Sequence, residues 1–224
     1  MRIAIHKHPA WPYVAPFAVY VFLLALEQHL NLPRYSYVAR LGVTCATLAL
    51  FSGRLLRFRI SSTLPSVVWG IAVFAIWVAP DLAIPGYHQH WVFHNGLTKP
   101  AGLYLPDPSR TTTYFFLLHL AGSVVLIPVI EEIFWRGWLM RYLIHKDFLK
   151  VPLGASTPLA FCLSAVLFAL EHGPYWDVGL LGGLMYNWWI VRTQSLGDCT
   201  LAHAITNACL GAYVIAAGRW EYWP

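Results

Sequence analysis

The chain has 224 residues, of which 58% are hydrophobic and only 11% charged, with a mean hydropathy of +0.55. Soluble domains carry about 25% charged residues, so this composition excludes an ordinary soluble domain and predicts a single all-α, polytopic membrane bundle. The formal charge of +5 is spread over short connections with no basic stripe interleaved with aromatics, which excludes a nucleic-acid partner and reads as membrane topology.

About seven spans follow in chain order. A short basic segment with Arg2 and Lys7 precedes the first, Trp11 to Leu30; at about 20 residues and with no small-residue cleavage site after it, this is a spanning helix and not a signal peptide. The second, Tyr37 to Gly53, is closed by Arg54, Arg57 and Arg59. The third, Pro65 to Pro80, is predicted to end at Pro80, Pro85 and Gly86. Residues 81 to 110 make a long connection with His88, His90 and His94, and His119 lies on the helix after it. No acid or cysteine completes a usual ligand set with these histidines, so they and Trp91 are expected at headgroup level. The fourth apolar stretch runs from Thr111 to Leu143, the fifth from Pro158 to His172, the sixth from Val178 to Val191 and the seventh from Cys199 to Ala217. Trp188, Trp189, Trp220, Tyr222 and Trp223 read as interfacial anchors. The four cysteines, Cys45, Cys162, Cys199 and Cys209, form no C-x-x-C pair and read as small core residues. One integral-membrane domain results, with three spans and the long loop in residues 1–110 and a motif-bearing core in residues 111–217.

With seven spans, Arg2, Lys7, Arg54, Arg57, Arg59, Arg141, Lys146, Lys150 and Arg192 lie on the N-terminal side, nine in all. Arg34, Arg40, Lys99, Arg110 and Arg219 lie on the other, five in all. The excess predicts a cytoplasmic N-terminus.

Three polar sets interrupt the apolar runs of the second half. Glu131, Glu132 and Arg136 sit inside the fourth stretch, where a charge costs ~2.5 kcal/mol or far more, so they read as a functional site. Glu132 and Arg136 are four apart and predict an ion pair on one helix face. Glu131 is turned about 100° away and has no local cation. A desolvated carboxylate of that kind can exchange a proton near neutral pH, as a general base must. Pro128 should kink the helix one turn earlier and free a backbone carbonyl. His172, one turn after Phe168, closes the fifth span; Glu171 beside it faces away and reads as interfacial. His203 and Asn207, four apart on the seventh span, are two side-chain donors of the kind an oxyanion hole needs, or equally of the kind that joins membrane helices. Ser123 and Ser164 have no histidine in register, which argues for attack by water and not by a side-chain nucleophile.

In order along the chain, Glu131-Glu132-Ile133-Phe134-Trp135-Arg136, Phe168-Ala169-Leu170-Glu171-His172 and His203-Ala204-Ile205-Thr206-Asn207 resemble the motifs of the CPBP family, the CAAX-protease and bacteriocin-processing proteins that include the Ras-converting endopeptidase. Arg192-Thr193-Gln194-Ser195-Leu196 is similar to that family too. The resemblance covers about residues 127–208 and implies a helical intramembrane endopeptidase of glutamic type that uses no cofactor. It implies that Glu131 activates the water with help from His172, that Glu132 and Arg136 support the site, and that His203 and Asn207 steady the oxyanion. The compact chain looks most like bacterial relatives, which include immunity proteins and proteases linked to C-terminal sorting tails. The implied setting is a bacterial or archaeal cytoplasmic membrane, and the implied partners are lipid and a protein substrate with a membrane-associated C-terminal tail.

Two alternatives stay open on the residues. Glu131, His172 and His203 could ligate zinc with water in the fourth position, although no H-E-x-x-H pattern is present. A non-catalytic immunity or chaperone-type protein could keep the same fold. Straight helices would also place the sets at different depths, with Glu131 ~15 Å, His203 ~8 Å and His172 ~21 Å from the cytoplasmic side. Tilt, the Pro128 kink or a deeper start to the fifth span is expected to bring them together.

Overall fold

The computed structural model describes residues 8–30, 35–93 and 113–222. His94, Arg110 and Trp223, like Arg2, Lys7, Arg34 and Lys99, lie outside those residues. Among the described residues the chain is helical without strands. The helices are α1 (Trp11–Leu30), α2 (Tyr35–Ser52), α3 (Thr63–Ala83), α4 (Thr113–Ala121), α5 (Ile127–Phe134), α6 (Met140–Tyr142), α7 (Pro158–Leu170), α8 (Trp176–Thr193) and α9 (Leu196–Ala217). α4, α5 and α6 are one rod joined by two π-helical turns, Gly122–Leu126 and Trp135–Leu139, which leaves seven rods. Segments Trp11–Leu30, Thr63–Ala83, Phe116–Tyr142 and Leu196–Ala217 are long and apolar enough to cross a membrane. α2 and α7 are shorter apolar helices.

Local chemistry sets the ends. Thr157 accepts from the Ala160 amide and Pro158 stands at the first position of α7, where its missing N–H costs nothing. Ser195 caps α9 by accepting from the Asp198 amide. Pro80 does not end α3 as predicted: the helix runs three residues further, and the Ile84 amide still reaches the Pro80 carbonyl. Near a helix end proline forfeits only one bond, and the last turn is rebuilt around its carbonyl.

α3 lies along α9, and α7 along α8. Buried Asp198 pins the start of α3 to α9: its Oδ1 accepts from the Ser61 and Ser62 amides at 3.0 and 2.9 Å, and its Oδ2 from the Ser61 hydroxyl at 2.7 Å. Further along, the Gly70 carbonyl accepts from Thr206 Oγ1, and a Cβ at Gly70 would collide with the Ala202 carbonyl. Glycine is what lets these two backbones approach so closely. Phe17 of α1 stacks on Phe134 at 4.3 Å and meets Trp135 edge-on, so the first helix closes over the rod that carries the carboxylates.

Several expected surface residues belong to the interior. Trp189 is only 6% exposed; it stacks on Trp69 and donates to Ser66 Oγ. Tyr222 is buried as well, with its hydroxyl on Asp81 at 2.7 Å. Trp188 is exposed, as an anchor should be. Of the cysteines only Cys199 is a core residue; Cys45 and Cys162 are exposed and Cys209 is half-buried. An apolar run in a membrane chain has a lipid-facing side, so hydrophobic flanks alone do not place a residue inside.

His88 departs furthest from expectation. It is 1% exposed, while His90 and Trp91 are exposed as expected. Its Nδ1 donates to Asp81 Oδ2 at 2.5 Å and its Nε2 to Asp177 Oδ1 at 2.9 Å. Asp81 lies in the last turn of α3 and Asp177 in the first turn of α8, so acids far apart in sequence complete a pair of acceptors that no local spacing announced. Rings of Tyr87, Phe93 and Tyr175 enclose the imidazole at 4.5 to 4.9 Å. Burial pulls the His88 pKa down, but the hydrogen bonds and charges of Asp177 and Asp81 outweigh it and hold the imidazole above its ordinary 6.5.

Candidate active site

The eight residues of α5 stand between the two π turns. The first turn links the Ile127 amide to the Gly122 carbonyl. The next link of that register would need an amide at Pro128, which has none, so the Ser123 carbonyl is orphaned. Asn207 Nδ2 of α9 donates to it at 2.8 Å. The carbonyl expected to be freed near the carboxylates therefore exists, and it engages one N–H of Asn207, a residue expected to face a reacting oxygen. In the second turn the Met140 amide reaches the Trp135 carbonyl. There Arg141 Nη1 donates to the Gly137 carbonyl at 2.9 Å.

The Glu132–Arg136 pair predicted by its spacing forms at 3.1 Å, with both side chains fully buried. Arg136 is saturated from three directions. Nη1 donates to Glu132, Nε to Asn187 Oδ1 at 2.9 Å, and Nη2 to the Gly183 carbonyl at 3.1 Å. Its guanidinium lies 4.7 Å from the Phe168 ring and 5.4 Å from that of Tyr186. Asn187 passes the chain on to the Phe161 carbonyl and Ser164 Oγ. Ser164 is thus an acceptor in a support network, in keeping with its exclusion as a nucleophile. Asn187 was not singled out from the sequence, though a lone amide within an apolar helix is the same signal that marked Asn207.

His203 lies between the two carboxylates. Its Nδ1 donates to Glu132 Oε1 at 2.9 Å, and its Nε2 faces Glu131 Oε2 at 3.8 Å. The ring stacks on Tyr186 at 4.8 Å, and the Tyr186 hydroxyl donates to Thr206 at 2.7 Å. Glu132 Oε1 thereby receives donors from both Arg136 and His203. Glu131, 8% exposed, has an Oε2 that is buried and makes no hydrogen bond; the same holds for Glu132 Oε2.

His172 lies just past the last turn of α7 and not within the span as predicted. Its amide bonds to Ala169 in a tightened turn, and its Nδ1 donates to the Phe168 carbonyl at 2.7 Å, filling the place of the missing fourth-residue amide. A carbonyl can only accept, so Nε2 is the basic nitrogen of the neutral ring. Phe168 joins the sets, its ring 4.6 Å from His172 and 6.1 Å from His203. α7 has 13 residues, or ~20 Å, against a hydrocarbon core of ~30 Å. A helix of that length falls short of a full span, and it is the Phe168 ring that lies between His172 and His203.

Glu171, read as facing away, is exposed, but its Oε1 accepts from Trp135 Nε1 at 3.0 Å. Trp135 lies four residues after Glu131, on the same helix face. The spacing rule that paired Glu132 with Arg136 therefore also marked Trp135, which the sequence reading passed over.

Among the described residues no three His, Cys, Asp or Glu side chains form a group fit to hold a metal ion. His172 Nδ1 is turned to a carbonyl and His203 Nδ1 to Glu132, which leaves Nε2 as the remaining ring nitrogen of each. What the arrangement offers is a buried carboxylate with a free oxygen, two oriented imidazoles and an amide, held by an arginine-centred network.

Residues 113–209 match the family model described as type II CAAX prenyl endopeptidase, Rce1-like. No curated protein and no solved structure matches the chain.

Proposed function

We propose that the chain is a CAAX-type intramembrane protease, a reading supported by the match of residues 113–209 to the Rce1-like family, and that it hydrolyses its substrate with a water activated by Glu131. The observation that carries this reading is the buried Glu131 Oε2, without a hydrogen bond and 3.8 Å from His203 Nε2. A buried acceptor without a donor from the protein is costly to keep, and it leaves that oxygen available to act as a general base.

Glu131 takes a proton from water as the water oxygen bonds to the scissile carbonyl carbon. The carbonyl electrons move onto oxygen, and N–H groups of His203 and Asn207 steady that charge. His172 Nε2, left basic by the Nδ1 bond to Phe168, accepts from the same water and holds it. Glu132 and Arg136 do not react; they orient His203 through Glu132 Oε1. Collapse of the tetrahedral species breaks the C–N bond, and the departing nitrogen gains a proton. No cofactor takes part.

The substrate proposed is a protein with a membrane-associated C-terminal tail, cut at a peptide bond near that C-terminus. The enzyme sits in a bacterial or archaeal cytoplasmic membrane with its N-terminus inside. The test is cleavage of tail peptides, prenylated and unprenylated, by the purified protein in lipid nanodiscs. Glu131→Gln should abolish cleavage while the protein stays folded, and a chelator should leave the wild type unaffected. Turnover by folded Glu131→Gln would end this reading. Inhibition by chelator, reversed by zinc, would favour the metal mechanism.

A further inference from the structure

A tail cut close to its C-terminus brings its last residue into the bundle together with the scissile bond, and that residue carries a carboxylate. Burying a lone carboxylate is costly unless a cation receives it. Resting on that reading of the substrate, we propose that Arg40 of α2 is a specificity residue that binds the terminal carboxylate of the tail.

The first argument is the state of Arg40. Three arginines are buried among the described residues: Arg40, Arg136 and Arg141. Arg136 is taken up by Glu132, Asn187 and Gly183, and Arg141 donates to the carbonyls of Val151 and Gly137. Arg40 is 7% exposed, yet its Nε and Nη1 are buried without a hydrogen bond. Buried donors in that state are costly and need a reason to exist. Glu27 of α1 stands 3.3 Å from Nε, but not in hydrogen-bonding geometry. Two aromatic faces hold the guanidinium instead, Tyr20 at 4.8 Å and Tyr37 at 5.2 Å. The rings fix its position through cation–π attraction and leave N–H groups for a carboxylate, which a guanidinium receives through two parallel bonds.

The second argument is where Arg40 stands. α1 runs antiparallel to the rod that carries the carboxylates, with Tyr13 against Gly137 and Phe17 on Phe134. Tyr20, one turn after Phe17, is therefore level with Glu131, one turn before Phe134. On the other side of the guanidinium, Tyr37 meets the same rod further from its C-terminal end. It stacks on His119 at 4.9 Å, and a Cβ at Gly122 would collide with its hydroxyl. Arg40 thus lies between the levels of Glu131 and Gly122, which are nine positions apart or ~13 Å along the rod. About four extended residues cover that distance. A tail held with its scissile carbon at Glu131 reaches Arg40 with its terminal carboxylate over that length, and Glu27 competes with it for the guanidinium.

The test uses matched tail peptides ending in a free carboxylate or a carboxamide, with the purified protein in nanodiscs of zwitterionic lipid. The wild type should cleave the acid with a kcat/KM roughly 30-fold or more above that of the amide. Arg40→Gln should bring this ratio to about one, Arg40→Lys should keep part of it, and Glu27→Gln should raise it. An arginine that only joined α1 to α2 would, when replaced, lower both substrates together and leave the ratio where it was. That result, or a wild type without preference, would overturn the proposal. Should Arg40→Gln not fold, a ratio that Glu27→Gln fails to raise would overturn it as well. Binding separates this role from the chemistry: folded Glu131→Gln should still bind the acid roughly 30-fold tighter than the amide. Equal binding would overturn the role of Arg40 and leave Glu131 intact, whereas turnover by Glu131→Gln would end the water mechanism and leave the acid preference standing.

Discussion

Twice in this chain an imidazole is buried between two carboxylates. At one end of the bundle His88 donates from both ring nitrogens, to Asp81 and Asp177, and Tyr222 gives a third donor to Asp81. Deeper in, His203 donates to Glu132 and faces Glu131 across 3.8 Å. The first cluster joins the end of α3, the start of α8 and the C-terminal turn. Its acceptors are engaged, and a charged imidazole suits it. The second leaves an oxygen on each glutamate without a hydrogen bond. Buried polar groups that are satisfied rigidify a structure, whereas an unsatisfied one needs a reason to exist. The same residue types thus make a clasp in one place and the proposed reactive centre in the other, and what separates them is the count of donors.

The largest effect expected from that contrast is on rate. Glu131→Gln should abolish detectable cleavage, a loss of ~10³-fold or more, with thermal stability in detergent unchanged or improved; a marked drop in stability would make the site a clasp like the other. Arg136→Ala should reverse this pattern. It strands the buried Glu132 charge and should cost about 3–5 kcal/mol of stability, read from thermal unfolding of the purified protein. His88→Ala should cost about 3 kcal/mol while folded protein keeps its cleavage rate; loss of rate at full stability would show that the two clusters are coupled. Because the folded-state value of His88 lies above 6.5, its contribution to stability should be complete below about pH 6.5 and fade as pH rises through the raised value. That dependence should vanish in His88→Ala. Smallest is Tyr222→Phe, which removes one of the donors to Asp81 and should cost about 1 kcal/mol.

How far each cluster was legible follows from where its partners sit. The Glu132–Arg136 pair and the separate direction of Glu131 are fixed by helical geometry over four residues, and both could be read directly. The three motifs in order marked the family whose model residues 113–209 match. His88 could not be placed, because its partners are 7 and 89 positions away and only the packing of α3 on α8 brings them together. The reach of Glu171 to Trp135 was hidden for the same reason.

The π turns are an intermediate case. Pro128 announced a freed carbonyl, but whether it would be that of Val124 or Ser123 depended on the wider turn that precedes it, and its partner Asn207 came from another helix. Composition and periodicity alone determined an all-α membrane bundle and marked the polar residues proposed to carry its chemistry, because hydropathy and the 3.6-residue turn are properties of the chain itself. Which donors from other helices reach each carboxylate, and which histidine is a clasp, was decided only by the tertiary structure. Those outcomes depend on donors and acceptors supplied across helices, and their distances are set by packing.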